Sequence, residues 1–160
     1  MATEQELNCS LAKNRWDKSL EEFNGYASTA TRLKQDIDGD ATYLARQKQF
    51  LDEEDVKLTY LNEKVDAHKY AIGNSSDSAE ISRLENEMGE LDSERERHRG
   101  RRAELEAEIA SIEARDYENR RGLADAKDGL AKSHAELQSA GNDVQTHCGE
   151  YKSLPSMPYL

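Results

Sequence analysis

The sequence predicts an all-α protein, a long antiparallel coiled-coil helical hairpin that assembles further into a four-helix bundle or larger array. Three observations carry that expectation. Only two prolines occur in 160 residues, Pro155 and Pro158, so no proline interrupts a helix anywhere in residues 1–154. Apolar residues make up 36% and charged residues 34%, too little apolar side chain to fill a spherical core but enough to line a narrow seam. Apolar side chains also recur every seven positions over most of the chain, the spacing that keeps one helical stripe against a partner helix.

The elements follow in order. A short N-terminal arm, residues 1–5, precedes a first long helix over 6–72. Its seam is Cys9, Trp16, Phe23, Ala30, Ile37, Leu44, Leu51, Leu58, Val65 and Ile72, a row without a polar member. The companion row is less regular. Tyr26, Leu33 and Leu61 fill one offset and Leu20, Ala27 and Ala41 its neighbour, with Asp40, Gln47, Glu54 and His68 as polar intrusions. Residues 73–78, Gly-Asn-Ser-Ser-Asp-Ser, form the hinge. Gly73 is expected to end the first helix in the left-handed conformation, and Asp77 with Glu80 to begin the second as a capping box.

The second helix is expected over 79–154. One row is Ile81, Met88, Arg95, Arg102, Ile109, Asp116, Leu123, Leu130, Leu137, Val144 and Tyr151. The other is Leu84, Leu91, His98, Leu105, Ile112, Asn119, Ala126, Ser133, Ala140, His147 and Leu154. The polar seam residues His98, Asp116 and Asn119 are expected to set register at some cost in stability. An extended tail, residues 155–160, closes the chain.

Two arms of similar length joined by a short turn favour an antiparallel pair. A turn near residue 76 pairs residues whose numbers add to about 152. This brings the densest acidic run, Asp52, Glu53, Glu54 and Asp55, against the densest basic run, which contains Arg95, Arg97, Arg99, Arg101 and Arg102. An inter-arm charge clamp is expected there, setting register more than adding stability, because an exposed pair contributes only about 0–1 kcal/mol. The two cysteines, Cys9 and Cys148, fall near the same level at the open end. They form either a disulfide or two reduced thiols, according to compartment. Gly25 is expected opposite Gly129. Two helices alone bury little, so an assembly surface is expected at Trp16, Phe23, Tyr43, Phe50, Tyr60 and Tyr70, and in the tail at Pro155, Tyr159 and Leu160.

Charge and hydropathy bound the function. A net charge of −11 argues against nucleic acid as a partner. No apolar run approaches the roughly 18–20 residues that span a bilayer, and mean hydropathy is −0.98. The segment from Met1 to Leu7 is acidic and polar, unlike a signal peptide, and the expectation is either a cytosolic chain or one numbered after removal of a leader. Glycine-rich phosphate loops, Cys-x-x-Cys, His-Glu-x-x-His and Gly-x-Ser-x-Gly are missing from the sequence, and no enzyme activity or cofactor is expected. His68, His98, His134 and His147 are scattered, and His147 beside Cys148 makes a poor metal site. Asp36, Asp38 and Asp40 invite a calcium reading, but the glycine falls at the wrong place for a calcium loop and Gln47 stands where a bidentate Glu belongs. The expectation is therefore diffuse, weak calcium binding and no defined site.

Acidity (pI ≈ 4.9), a mass of 18.1 kDa, two helical arms and a cysteine near each end resemble the matrix proteins of ciliate secretory granules, the trichocyst and mucocyst families. The segment from Arg102 to Arg115, followed by Asp116-Tyr-Glu-Asn-Arg, has the texture of those chains. The resemblance implies a self-assembling structural protein packed into calcium-responsive arrays, with Cys9 and Cys148 oxidised. It places the chain in a granule lumen if the cysteines are oxidised, and otherwise in the cytoplasm or on the cytoskeleton. The competing expectation is a cytoplasmic or cytoskeleton-associated coiled-coil adaptor that binds a larger protein.

Overall fold

Helix boundaries follow from local side chains. Thr3 accepts a hydrogen bond from the Glu6 amide at 3.1 Å, and the Thr3 amide donates back to the Glu6 carboxylate at 3.2 Å. This reciprocal capping box starts the first helix at Glu4, inside the expected N-terminal arm. The helix runs past Gly73, whose φ is ordinary, to Asn74. There the Asn74 amide group donates to the Tyr70 carbonyl at 2.8 Å, occupying one of the terminal acceptors that the expected glycine cap was to satisfy. The turn is thus residues 75–77. The Asp77 carboxylate accepts from the Ala79 amide at 3.0 Å and caps the second helix, while Glu80 bonds the Ser75 hydroxyl rather than reaching back to Asp77.

The computed structural model describes residues 1–160: α1 (Glu4–Asn74) and α2 (Ser78–Cys148), packed against each other as a hairpin. The expectation that α2 continues to Leu154 is corrected. Gly149 takes φ 68° and its amide bonds the Gln145 carbonyl at 3.0 Å, a left-handed cap that stops the helix six residues early. The register also shifts. Tyr26 meets Gly129 and Leu33 meets Gly122, pairs adding to 155, and Cys9 meets Cys148, adding to 157.

Contacts divide the chain into two compact units, residues 1–39 with 115–160 and residues 40–114. In the first, Ala12, Trp16, Phe23 and Ala30 of α1 pack against Ala126, Leu130, Leu137, Ala140 and Val144 of α2. Trp16 and Phe23, expected on the assembly surface, are 5% and 2% exposed. They stand in the unbroken seven-residue row, and the row determines their burial. The second unit buries Leu61, Val65, Leu84, Leu105, Ile109 and Ile112 together with the polar Gln47 and Glu54. No helix is long and apolar enough to cross a membrane.

Candidate functional site: buried charges and a tied end

Within residues 40–114, the companion row of α1 carries Gln47 and Glu54 into the seam. Glu54 is 2% exposed. Its Oε2 lies 2.6 Å from His98 Nδ1, and its Oε1 lies 3.0 Å from Arg101 Nε and 3.6 Å from Lys57 Nζ. Burial pushes the Glu54 carboxyl up, but the His98 hydrogen bond and the charges of His98, Lys57 and Arg101 outweigh it and hold the group below its ordinary value. Asp55 pairs with Arg102, which also bonds Glu106 at 2.7 Å. Arg95 reaches across to Asn62 at 3.2 Å and along its own helix to Asp92 at 2.7 Å. Its Nε is the one buried side-chain polar atom without a partner.

Two of the four acids, Glu54 and Asp55, and three of the five arginines, Arg95, Arg101 and Arg102, therefore join the arms. Asp52 and Glu53 are exposed and make no ion pair. Arg97 pairs at 3.8 Å with Glu94 and Arg99 at 2.6 Å with Glu96, both on α2 itself. Successive helical residues turn by about 100°, so four consecutive acids cannot all face one partner helix. Glu54 and Asp55 occupy the inward positions, and Asp52 and Glu53 the outward ones.

Other polar positions fall as follows. The Tyr43 hydroxyl donates to Glu108, and Gln47 donates to both at 2.8 Å. Tyr43 is half exposed, Phe50 half-buried and Tyr60 exposed. Asp116 pairs with Arg120 on the same helix at 2.8 Å, and Asn119 is half-buried in the seam. His68 directs Nδ1 to the Lys64 carbonyl at 2.9 Å and Nε2 to Glu87 at 3.0 Å. Both partners are acceptors, so the ring is best satisfied with two protons. The Glu87 hydrogen bond first, then the Lys64 carbonyl, raise His68, and His68 in turn lowers Glu87.

Within residues 1–39 and 115–160, Cys9 and Cys148 are joined as a disulfide spanning 139 positions. Beside it stands a polar clamp that seam reading missed. Arg15 donates from Nε to Glu136 at 2.7 Å, from Nη1 to Asp143 at 2.6 Å and from Nη2 to Ser139 at 3.0 Å. Glu136 and Asp143, seven apart, flank the seam on the same edge as Arg15, and that flanking-charge pattern was the available signal. The tail does not project. Tyr151, Lys152 and Leu154 line a cleft with Gln138, Gly141 and Asn142, and Leu160 packs on the core cluster that holds Trp16. Leu160 is thereby removed from the expected assembly surface. Pro155 is half-buried, and Tyr159 is fully exposed.

Gly129 faces the ring of Tyr26, not Gly25. A Cβ at Gly129 would lie within 2.6 Å of Tyr26 Cζ, whereas one at Gly25 would meet nothing within 4 Å. His, Cys, Asp and Glu side chains nowhere converge in threes to hold a metal ion, and Asp36, Asp38 and Asp40 sit on a continuous helix. No family model, curated protein or solved structure matches the chain.

Proposed function

We propose that this chain is a non-enzymatic structural subunit that self-associates through its coiled-coil arms into a lattice or filament. The carrying observation is the set of large apolar side chains left on the outer faces of the two helices. Leu11, Val56, Tyr60 and Tyr70 on α1 and Tyr117 on α2 are all exposed. Apolar surface on this scale on a two-helix unit favours burial against further helices, as in a four-helix bundle or larger array. The Cys9–Cys148 disulfide supports an oxidising compartment, consistent with the granule matrix proteins the sequence resembles. Calcium would act by screening a surface of net charge −11. Light scattering of the oxidised protein at micromolar concentration, with and without millimolar calcium, tests the reading. Species larger than the monomer are expected, and a stable monomer throughout contradicts it.

The exposure of Met157 and Tyr159 favours a second reading, an adaptor that captures a larger protein through the tail. In that case Met157→Ser with Tyr159→Ser leaves the oligomeric state unchanged and abolishes partner capture.

A further inference from the structure

Two asparagines stand in the Asn-x-Ser/Thr pattern that accepts an N-linked glycan, Asn8 in Asn8-Cys9-Ser10 and Asn74 in Asn74-Ser75-Ser76. The fold treats them differently. A transferring enzyme must hold the asparagine amide and the hydroxyl two residues on in one site. A continuous helix does not offer that pair, because side chains at i and i+2 do not face each other. Asn8 is half-buried within α1, and the central Cys9 is tied to Cys148. Asn74 is the last residue of α1, and Ser75 and Ser76 lie in the turn. Asn74 and Ser76 are both exposed. The Asn74 amide group holds one exposed hydrogen bond, to the Tyr70 carbonyl. The Ser75 hydroxyl is taken up by Glu80 and the Asp77 amide, whereas none of the hydrogen bonds of the turn involves Ser76. A Cβ at the neighbouring Gly73 would meet nothing within 4 Å, so the space around the acceptor is open.

We propose that Asn74, at the exposed turn of the hairpin, carries an N-linked glycan and that Asn8 does not. The group transferred is an oligosaccharide from a lipid-pyrophosphate donor. A bond forms between Asn74 Nδ2 and the anomeric carbon of the first sugar, and the bond from that carbon to the pyrophosphate oxygen breaks. One Nδ2 proton is lost as the lipid pyrophosphate departs, and nothing is oxidised or reduced. Such transfer takes place in the secretory lumen, the oxidising setting in which the Cys9–Cys148 disulfide forms and persists. The inference therefore rests on the oxidising-compartment part of the proposed function. It is independent of whether the chain self-associates.

Peptide mapping decides it. The full chain is isolated from the cells that make it, with free thiols blocked at lysis, and treated in heavy-oxygen water with an amidase that releases Asn-linked glycans. The amidase converts a glycosylated Asn into an Asp that carries the heavy oxygen, which mass spectrometry locates. The label is expected at Asn74 and not at Asn8, with Cys9 and Cys148 joined. The amidase should also increase mobility on denaturing gels. That shift should vanish in Ser76→Ala expressed in the same cells and persist in Ser76→Thr, which keeps the hydroxyl. Both substitutions spare the Asn74–Tyr70 bond and the Asp77 cap, and circular dichroism checks that each variant is helical. An unlabelled Asn74 in a disulfide-bonded chain overturns the glycan and leaves the compartment and structural-subunit readings standing. An unlabelled Asn74 with both thiols blocked overturns the glycan and the oxidising compartment together. A label at Asn8 and not Asn74 overturns selection by the turn.

Discussion

Removing the disulfide is the perturbation with the largest calculable effect. Cys9 and Cys148 close a loop of 139 positions, and the loss of loop entropy in the unfolded chain for a loop of that size corresponds to about 5 kcal/mol. Folded domains gain roughly 2 cal/mol/K per residue on unfolding, so for a chain of 160 residues the melting temperature should fall by about 15 °C. The variant Cys9→Ser with Cys148→Ser isolates the effect from reductant. Thermal unfolding followed by far-UV circular dichroism gives the global shift. Trp16, the single tryptophan, sits in the core cluster of the same unit and reports that unit by fluorescence. The shift should be the same at every dilute concentration, because the bond is intramolecular, and adding reductant to the variant should change nothing further. A drop below about 3 °C would refute the reasoning, since the arms would then be held in register without the tie.

Three further outcomes follow from the seam. Glu54→Ala leaves His98 and Arg101 facing an empty position and should cost about 2–4 kcal/mol in denaturant unfolding, with Glu54→Gln costing less. Because the Glu54 carboxyl is held below its ordinary 4.5, its contribution is present above that pH and lost as pH falls through the lowered value, and the variants should lose this acid limb. Gly25→Ala should stabilise by up to about 1 kcal/mol, whereas Gly129→Ala must displace the Tyr26 ring and should destabilise by about 1–2 kcal/mol; in a Tyr26→Ala background the sign of Gly129→Ala should reverse. His68, raised above 6.5 by Glu87, stabilises fully below that pH and loses its effect as pH rises through the raised value. Glu87, lowered from 4.5, contributes above 4.5, so the pair is strongest between those two values. NMR titration should find His68 above its ordinary value and Glu87→Gln should lower it, with the Lys64 carbonyl bond still in place; a His68 titrating at or below 6.5 contradicts the pair.

The hairpin could be read from the sequence because its signal is long-range and redundant. The row from Cys9 to Ile72 repeats seven-residue spacing without a polar break, and every member is buried or half-buried. The same row contains Trp16 and Phe23, and their place in it accounts for their burial away from the expected assembly surface. Ends were harder because each depends on one or two hydrogen bonds. Thr3 with Glu6 forms a capping pair ahead of the first seam residue, Cys9, and Gly149 stops α2 against a seam pattern that continues to Leu154 in sequence alone. The charge clamp fell between these cases. Its level along the hairpin was evident from the two runs, but which members face inward depends on helical phase, and that separates Glu54 and Asp55 from Asp52 and Glu53. Leu160 reaching the Trp16 cluster depends on the path of the tail after Gly149, which no periodicity encodes.

The measurement that bears most directly on the central claim is sedimentation velocity of the oxidised protein over a hundredfold range of concentration at low salt. Self-association predicts a sedimentation coefficient that climbs with concentration and species that are multiples of 18.1 kDa. A single concentration-independent species of 18.1 kDa would contradict it.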